Sequence, residues 1–596
     1  MQKRFLIFAI AAMLCTMSCN SNDTPVTPPE KPDEPDPVEA SLSVKPDNRT
    51  VTFSYNGLSA SSNGGDFSPT FTVEENVGEW DAVSSDDSWL HVSKGNDSFT
   101  LSADAVTTAS SREATVTVTA GEAEEIIITV TQNGASSELL YGFISDTDGN
   151  PIAGVVVSDG FQCVPTDENG MYQMIKNKDA KFVFYSTPAE YEVNTLNSTV
   201  NSAMFYSPIL SYRQRYDFTL KRLPAVETEF TLLCIADPQV GTNDEMARFL
   251  NEFMPDLNEF VDAAEKPCYG LILGDVVCDR MDWLGTMRNH LGSTDMKFFA
   301  TPGNHDKTSN YSNAAAFTTA FGPLDFSFNR GDVHFIGMDN ILYEDENGSL
   351  GGFYDYQIEW LKQDLSFVPK DKLIIAFFHI PGWQKNRTAF LNVFRNFSRV
   401  QFMSGHTHYH RKGLITTNPS PIHEHIHGAV CGAWWYSTVN HCGAPNGYGI
   451  FEVKGNEFVN SYYKAVKYSK DFQIRLHWGD TQFGGTYRNY SYNQPGKIVA
   501  NIWNADTDWV IEAYEDGVPA GNPTRLGVIT DAFAVGYFDG VLGRGATEPM
   551  NNHAFVHTLK NPNAKVIEIR ATDGFGNTYS QTEIISDLSS AAGYND

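Results

Sequence analysis

The chain lacks the features by which proteins bind nucleic acid or cross a membrane. Its formal net charge is −31 over 596 residues, and no long run of Lys or Arg occurs. A surface of this sign repels phosphate polyanions, so we expect no nucleic-acid partner. Beyond the N-terminus no segment reaches the roughly 18 consecutive apolar residues of a membrane-spanning helix.

Cysteine is also scarce. The chain has eight cysteines, of which Cys15 and Cys19 lie near the N-terminus, and the others form no CxxC pair. This pattern argues against a zinc ribbon and against a small disulfide-stabilised fold. Cys431 and Cys442 are the pair to test for a disulfide. The composition is otherwise ordinary, with 41% hydrophobic residues, and the length indicates several domains.

Residues 1–19 are typical of an export signal. Two basic residues precede the apolar stretch Phe5–Leu14, which is too short to span a bilayer. The residues before Cys19 resemble a bacterial lipoprotein processing site. We therefore predict that Cys19 is lipidated and anchors the chain in the cell envelope, periplasmic or on the outer-membrane surface. The alternative is a plain secretory signal. Residues 20–38 are rich in Pro and Asp, as expected of an extended tether.

Three stretches have the alternation and turn spacing of β-sandwiches. Residues 39–134 contain SWLHVS, SREATVTVTA and ITVTQNG, which resemble the BACON domain of secreted Bacteroidetes proteins. That resemblance implies either an inert spacer or contact with carbohydrate. Residues 138–222 resemble the carboxypeptidase-regulatory type of β-sandwich, and residues 469–590 are predicted to form a third sandwich. Between these stretches, residues 226–468 alternate strands with amphipathic helices, which predicts an α/β domain.

Five predicted buried strands of the α/β region end in residues that can bind metal ions. The strands are FTLLCIA before Asp237 and Gln239, YGLIL before Asp275, KFFAT before Asn304, His305 and Asp306, KLIIAFF before His379, and RVQFMS before His406 and His408. Ligands of α/β sheets bind beyond the carboxyl ends of the strands, so we expect the five loops to converge. Carboxylates, amide oxygens and imidazoles form a donor set suited to iron, manganese or zinc, and their number suffices for two ions.

The motifs DxQ, GDxxxD, GNHD, a single His after a strand and GHTH, in this order, resemble the calcineurin-like metallophosphoesterase family over about residues 230–465. The resemblance implies two facing sheets with helices outside them. The predicted fold class is therefore multidomain, with a central α/β four-layer metallophosphoesterase sandwich flanked by two N-terminal β-sandwiches and one C-terminal β-sandwich.

The resemblance also implies roles for individual residues. Asp237 and His408 would bind a first metal ion, Asp275 would bridge both ions, and Asn304, His379 and His406 would bind the second. His305 is not a ligand in the family pattern. It would stabilise the phosphoryl transition state or protonate the leaving oxygen, with Asp306 or Asp275 orienting its ring.

Gln239 stands where a histidine is commonest in the family. An amide oxygen can bind a metal ion, although more weakly than an imidazole, so we expect a weakened or altered first site and an intact second site. The other interpretation is that Gln239 only hydrogen-bonds a water on the metal.

Four aromatic side chains follow the last motif, in the segment AWWYSTVNHCGAPNGYG. They are Trp434, Trp435, His441 and Tyr448, and we predict that they form a wall against the organic part of a substrate. Packing in the core is the alternative for the two tryptophans.

Together these motifs predict an exported hydrolase of phosphomonoesters or phosphodiesters that uses two divalent or trivalent transition-metal ions. Its partners would be a phosphorylated small molecule, lipid or glycan and, through the lipid anchor, a membrane. The alternative is a catalytically silent, glycan-binding surface lipoprotein. A silent scaffold has little need of His305, Asp306 and both histidines of GHTH, which favours the enzyme.

Overall fold

The computed structural model describes residues 40–588, apart from residues 48, 54–58, 61–65, 68, 107–109, 135–138, 211–212, 309–312, 343–350, 384, 417–419 and 546–548. The predicted signal, Cys19 and the predicted tether lie outside these residues. Within the described part, none of the helices is long and apolar enough to cross a membrane.

Ten strands near the N-terminus form two four-stranded sheets and a short hairpin. They are Leu42–Lys45 (β1), Thr50–Phe53 (β2), Ser59–Ala60 (β3), Asp66–Phe67 (β4), Thr70–Glu75 (β5), Asp81–Ser84 (β6), Leu90–Lys94 (β7), Ser98–Ala103 (β8), Arg112–Thr119 (β9) and Ile126–Gln132 (β10). The sheet orders are β1-β5-β8-β7 and β2-β10-β9-β6, with β3 paired to β4. Every second residue of β9 and β10 is buried in one shared core, which is the alternation visible in the sequence.

The next nine strands are less independent than the sequence predicts. They are Leu139–Asp146 (β11), Val156–Ser158 (β12), Cys163–Pro165 (β13), Met171–Ile175 (β14), Phe182–Tyr185 (β15), Thr195–Asn197 (β16), Val200–Ala203 (β17), Tyr206–Pro208 (β18) and Phe218–Leu220 (β19). Two sheets, β14-β11-β19 and β13-β12-β15-β18, are local to this region, but β16 and β17 belong to the large sheet of the α/β region. The Trp360 indole also donates a 3.0 Å hydrogen bond to Ser158 Oγ. The predicted separation of residues 138–222 from the α/β domain is therefore wrong for β16 and β17.

The α/β region contains eleven strands and six helices. The strands are Glu229–Ile235 (β20), Cys268–Leu273 (β21), Lys297–Thr301 (β22), Phe326–Arg330 (β23), Val333–Gly337 (β24), Leu373–Phe377 (β25), Val400–Ser404 (β26), Arg411–Ile415 (β27), Ile422–Ile426 (β28), Gly447–Lys454 (β29) and Glu457–Ala465 (β30). The helices are Asn243–Arg248 (α1), Met254–Asp262 (α2), Leu284–Leu291 (α3), Ala315–Phe321 (α4), Asp355–Ser366 (α5) and Arg387–Val393 (α6). A π-helical turn, Phe249–Phe253, joins α1 to α2.

Two sheets of this region pack face to face. One has seven strands in the order β16-β17-β22-β21-β20-β29-β30, and the other has six in the order β23-β24-β25-β26-β28-β27. Phe299 of β22 stacks on Phe328 of β23 with ring centroids 3.6 Å apart, so the sheets meet there. On β20, Leu232 belongs to the core between the sheets, while Leu233 belongs to a second core beneath helices α1 to α4. Strands buried on both faces explain the continuous apolar runs in the sequence.

Ten strands and two short helices follow. The strands are Ile474–Trp478 (β31), Phe483–Gly484 (β32), Asn489–Tyr490 (β33), Lys497–Ile502 (β34), Val510–Glu515 (β35), Val518–Gly521 (β36), Thr524–Arg525 (β37), Ala554–Thr558 (β38), Val566–Thr572 (β39) and Thr578–Ile584 (β40), and the helices are Ala532–Val535 (α7) and Ile585–Leu588 (α8). Sheets β31-β34-β38-β37 and β36-β35-β39-β40 share a core, and β32 pairs with β33. After α7, the π-helical turn Gly536–Val541 packs against the α/β region through Phe538.

Candidate metal centre

Seven predicted metal ligands lie at the carboxyl ends of five strands of the facing sheets. They are Asp237 and Gln239 after β20, Asp275 after β21, Asn304 after β22, His379 after β25, and His406 and His408 after β26. Parallel pairing places the ends of β20, β21 and β22 at one edge of their sheet, and those of β25 and β26 at one edge of the other. All seven side chains are buried except His406, which is half-buried. The structure thus brings the predicted set together, and its role as ligands stays a prediction.

His379 lies at the centre of one half of this cluster. Its Nε2 is 3.2 Å from Asn304 Oδ1, 3.3 Å from Asp275 Oδ2 and 3.1 Å from His406 Nδ1. Ligand atoms bound to one ion at about 2.0–2.2 Å lie about 3 Å from each other. The spacing of these nitrogen and oxygen donors therefore fits a single metal ion.

The other half of the cluster is smaller. His408 Nε2 lies 3.6 Å from Asp237 Oδ1, and the backbone N–H of His406 donates to both carboxylate oxygens of Asp237. His408, the second histidine of GHTH, and Asp237, the aspartate of DxQ, therefore lie together near the end of β20, as the family resemblance implies.

Hydrogen bonds fix the orientation of two of the imidazoles. Nδ1 of His379 donates to the carbonyl of Leu273 over 2.7 Å, and Nδ1 of His408 donates to the carbonyl of Gly432 over 2.9 Å. Each Nε2 then faces the cluster, where it can bind a cation once the ring is neutral. A backbone carbonyl behind a histidine ligand is a common way to orient it and to raise its basicity.

The backbone at the cluster is strained. Asp237, Gln239, Asp275, His406 and His408 have φ angles of 50°, 44°, 48°, 70° and 51°. This left-handed region costs a residue with a Cβ about 1 kcal/mol or more. Five such residues among seven candidates indicate that the surrounding fold forces these loops into place, which is typical of functional sites.

The glycines of two motifs make room for the cluster. A Cβ on Gly405 would lie 2.5 Å from Asp237 Oδ2, and one on Gly274, which has φ +87°, would lie 2.6 Å from His379 Nδ1. These close approaches explain why a glycine directly precedes Asp275 and His406.

The cluster is short of positive charge. Burial raises the pKa of Asp237 to about 8, and the charge of Asp275 adds to this effect. Burial also opposes the charge of Asp275, but His379 holds the pKa of Asp275 below its usual range. Burial lowers the pKa of His379, yet the two carboxylates outweigh it and raise that pKa to about 9. Burial lowers the pKa of His406 to about 4 and that of His408 to about 3. The His379 imidazolium therefore offsets the charge of Asp275 and burial disfavours the charge of Asp237, so a metal cation would take the place of these protons.

Gln239 contacts the carboxylate at the middle of the cluster. Its Nε2 donates to Asp275 Oδ2 over 3.2 Å, and its Oε1 lies 3.9 Å from Cys431 Sγ. Rotation of the amide by 180° exchanges the two atoms and presents the oxygen to the cluster. Cys431 and Cys442 both carry free thiols, so the disulfide suggested for this pair is not present.

The surroundings of His305 differ from the sequence prediction. Its Nδ1 lies 3.2 Å from Asp279 Oδ1, and its backbone N–H donates to Asp275 Oδ1 over 2.8 Å. Burial lowers the pKa of His305, but the Cys278 thiol and the carboxylates of Asp275 and Asp279 outweigh it and raise that pKa to about 10. The prediction that the side chain of Asp306 or Asp275 orients the ring is wrong, because Asp279 faces it.

Asp306 has a structural task instead of the predicted catalytic one. Its carboxylate is fully buried and accepts hydrogen bonds from the backbone N–H groups of Val276, Val277 and Gly303. These bonds tie the loop after β21 to the loop after β22. Asp306 is therefore a positioning residue that holds Asp275 beside Asn304.

Two of the four predicted wall residues lie beside the cluster. The Trp434 ring is 4.9 Å from the His408 ring and 4.9 Å from the His441 ring, and it is partly exposed. His441 is buried, and its backbone N–H donates to the carbonyl of His408. Neither ring nitrogen of His441 has a hydrogen-bond partner. Trp434 thus lies partly exposed beside the cluster, and its contact with a substrate stays a prediction.

The prediction is wrong for Trp435 and Tyr448. Trp435 is buried, and its indole donates to the carbonyl of Pro238 over 2.8 Å, so it supports the loop between Asp237 and Gln239. Tyr448 is fully buried, and its hydroxyl donates to Asp256 Oδ1 of α2 over 2.9 Å. Both residues pack inside the protein.

A buried residue that packs behind Trp434, and that the sequence analysis missed, comes from the C-terminal region. The Phe538 ring lies 5.6 Å from the Trp434 ring and 5.5 Å from the His441 ring. Arg544 stacks over Tyr436, two residues after Trp434, at 3.8 Å. No local pattern marks either residue, because each is an ordinary side chain about a hundred positions from its partner.

Facing sheets with carboxylate, amide and imidazole donors at their strand ends define an α/β protein with a candidate metal site. Residues 140–223, 230–410 and 424–579 match the models of the N-terminal, central and C-terminal parts of calcineurin-like phosphoesterases. The chain belongs to the calcineurin-like phosphoesterase family. Residues 78–133 match the BACON model, which describes an N-terminal binding domain. The predicted multidomain class, with a metallophosphoesterase core and a BACON β-domain, is confirmed.

Matches to individual proteins are weak. No curated protein matches the chain. The NMR structure of a protein from Bacteroides thetaiotaomicron is 18% identical over 18% of this chain and 98% of that chain, with a TM-score of 0.14. A Bacteroides ovatus GH5 xyloglucanase in complex with an XXXG heptasaccharide is 14% identical over 61% of this chain, with a TM-score of 0.22. The chain spans 65% of the length of that xyloglucanase. Neither likeness supports a conclusion about this chain.

Proposed function

We propose that this protein is an exported phosphoester hydrolase that works with two transition-metal ions. The observation that carries the proposal is the cluster itself. Donors from five loops converge there, and those around His379 and between His408 and Asp237 lie 3.2–3.6 Å apart, close to ligand spacing. The family supports a metal-dependent phosphoesterase.

The donors divide between two ions. Asn304, His379 and His406 would hold one ion, and Asp237 with His408 would hold the other, joined by Gln239 when its amide oxygen faces inward. Asp275 lies between the groups, because its Oδ2 is 3.3 Å from His379 Nε2 and 3.2 Å from Gln239 Nε2. Iron, manganese and zinc suit this set. When bound, such a pair of ions supplies positive charge to phosphoryl oxygens and makes water a better nucleophile.

The chain's own side chains complete the site. His305 directly follows Asn304 and is partly exposed, so it is placed to donate a hydrogen bond or a proton to an oxygen of the phosphoryl group. Asp279 orients its ring. Trp434, which packs against the buried ring of Phe538, provides an apolar surface for the organic group of a phosphorylated small molecule, lipid or glycan. Both monoesters and diesters fit this description.

The decisive test is Asp275→Asn in the chain starting at residue 20, expressed with iron, manganese and zinc present. We expect about two ions per chain by plasma mass spectrometry in the unchanged protein, and loss of metal and of phosphoester hydrolysis in the variant. Asp364→Asn, a change at another buried carboxylate of the same region, is the matched control and should keep both. Unchanged hydrolysis of every tested phosphoester by Asp275→Asn would refute the proposal.

We also propose the location predicted from the N-terminus. Lipidation of Cys19 would anchor the protein in the cell envelope. Full-length protein expressed in a bacterial host should partition into the detergent phase of a Triton X-114 separation, whereas Cys19→Ser should stay in the aqueous phase. Equal partitioning of both would indicate a plain secretory signal.

One observation favours the second candidate, a glycan-binding lipoprotein. The BACON match covers a domain whose described strands share no core cluster with the candidate metal centre. Pull-down of glycans with residues 39–134 tests it, and binding no stronger than background indicates a spacer. Glycan binding together with a metal-free, inactive centre would favour the silent protein over the enzyme.

A further inference from the structure

A second group of metal-type donors lies beside the centre and shares no residue with it. The Cys278 thiol, the Asp279 carboxylate and a His305 ring nitrogen each offer an atom, and all three atoms lie within 4.8 Å of one another. His305 Nδ1 and Asp279 Oδ1 are 3.2 Å apart. Donors on the edges of a tetrahedral zinc site lie about 3.3–3.8 Å apart, from bonds of about 2.0 Å to nitrogen or oxygen and 2.3 Å to sulfur. A small closure of the three side chains is sufficient to reach that geometry.

The backbone holds these donors in place before any ion binds. The N–H of Asp279 donates to the carbonyl of His305 over 3.2 Å, and the N–H of Cys278 donates to the carbonyl of Val240 over 3.0 Å. Asp306 fixes the same two loops to each other through its buried carboxylate. The ligands therefore need little ordering on binding.

The group is open to ions from solvent. The side chains of His305 and Asp279 are 28% and 66% exposed, and Cys278 is half-buried. The other cysteines in the described part of the chain, Cys163, Cys234, Cys268, Cys431 and Cys442, are buried.

The cation that follows the group in the chain, Arg280, has its own partners. Arg280 donates to Asp282 over 2.8 Å and stacks on Trp283 at 3.9 Å. Its guanidinium charge is therefore balanced by a carboxylate outside the group, which limits its repulsion of a bound cation.

We propose that Cys278, Asp279 and His305 form a third cation site that takes zinc and inhibits the enzyme. A thiolate, an imidazole and a carboxylate with room for one water are a zinc donor set, whereas magnesium and calcium require oxygen ligands. The affinity for zinc follows from these donors alone. The inhibitory effect rests on the proposed function, in which His305 serves the phosphoryl group.

Inhibition follows from the position of His305. An ion at this site holds the imidazole by Nδ1 against Cys278 and Asp279, so the ring can no longer adjust to an oxygen of the substrate. Loss of a general acid typically lowers a rate by 10²–10⁴, so we expect about 100-fold inhibition at saturating zinc.

The first test uses Co²⁺ alone as a spectroscopic substitute for zinc, on the chain starting at residue 20. We expect a near-ultraviolet thiolate-to-cobalt absorption band that saturates with one ion more than the centre holds. Cys278→Ser should lack the band, and Cys431→Ser should keep it, although Cys431 Sγ lies 3.7 Å from His408 Nδ1. No band in the unchanged protein, or a band that survives Cys278→Ser, would overturn the proposal.

A measurement on the unchanged protein guards against misfolding of that variant. Zn²⁺ alone should protect Cys278 from an alkylating reagent, as read by mass spectrometry of the peptide that contains it. Alkylation at the same rate with and without zinc would contradict the site.

The last test adds excess Zn²⁺ to the phosphoesterase assay. Cys278→Ser should lose the zinc inhibition, measured for each protein against its own rate without added zinc, whereas an equal fold-inhibition of both proteins would refute the regulatory role. If no phosphoester is hydrolysed at all, the proposed function fails while the cobalt band and the alkylation still decide the zinc site.

Discussion

Replacement of Asp306 by asparagine tests whether this residue positions the metal-binding loops or takes part in the chemistry. The buried carboxylate accepts backbone hydrogen bonds from Val276 at 3.1 Å, Val277 at 3.0 Å and Gly303 at 2.9 Å. Asparagine has nearly the same shape but only one acceptor oxygen. Placed where it still serves Val276 and Gly303, its amide NH₂ faces the N–H of Val277, and that donor loses its partner.

The size of the effect follows from these three bonds. A buried donor left without an acceptor costs about 1–3 kcal/mol, and the two remaining bonds weaken because their acceptor becomes neutral. Burial raises the pKa of Asp306 to about 7, with help from Asp275, so removal of the charge recovers part of the loss. We expect a net loss of about 2 kcal/mol in the free energy of local opening, which is about a 30-fold increase in the opening equilibrium.

Hydrogen exchange of the holo protein, followed by mass spectrometry, measures this opening equilibrium directly. Amides in residues 273–280 should exchange about 30-fold faster in Asp306→Asn, and metal retention should fall with them. Asp364→Asn is the control. Asp364 is hydrogen-bonded to Ser327 and His334, so its replacement should speed exchange around those two residues and not at residues 273–280. Unchanged exchange at residues 273–280 together with a large loss of kcat would refute the positioning of the loops and favour the predicted role of Asp306 in orienting His305.

Three further changes probe the centre, the wall and the C-terminal region. Gln239→His should slow metal loss to a chelator about tenfold, because imidazole binds transition metals better than an amide does. Faster loss would mean that the hydrogen bond from Gln239 to Asp275 matters more than ligation by residue 239. Phe538→Ala should raise KM about 2–10-fold for phosphoesters with an aromatic group and leave kcat unchanged, because it removes a ring from beside Trp434; an equal effect on a small aliphatic ester would contradict this. Burial opposes the charge of Glu515, but hydrogen bonds, the first from the side chain of His557, outweigh it and lower its pKa. The stability that the Glu515 carboxylate contributes is complete above the ordinary carboxyl pKa and is lost as pH falls through the lowered pKa. In calorimetry, Glu515→Gln should therefore lower the melting temperature of the C-terminal region at neutral pH. The melting temperature of this variant should also fall less on acidification than that of the unchanged protein.

The convergence of the candidate metal ligands was largely predictable because its information is local. Each donor of the set, such as Asp237 or His379, follows its own buried strand within a few residues, and a run of apolar residues ending in a polar one is visible without any tertiary contact. Parallel strands then deliver these ends to common edges. The kinds of donor, their number and their order along the chain were therefore available from the sequence.

The partner of His305 was not predictable in this way. Asp306 is its neighbour in the chain, but adjacent side chains of a 3₁₀ turn point in different directions. The Asp306 carboxylate turns into the protein, while Asp279, from another loop, reaches the ring. The prediction that Tyr448 forms part of the wall was wrong for a related reason. Strand β29 is buried on both faces, so its apolar run has no period that distinguishes one face from the other.

By itself, the sequence determined which strands form, where each one ends and which donor atoms stand there, because these properties depend on neighbouring residues. Only the tertiary structure decided that β17 joins the central sheet and that Phe538 closes the wall beside Trp434. Contacts between residues a hundred positions apart depend on how whole sheets pack, and packing is set by the summed shape and apolar area of many side chains. No short segment of the chain carries that sum.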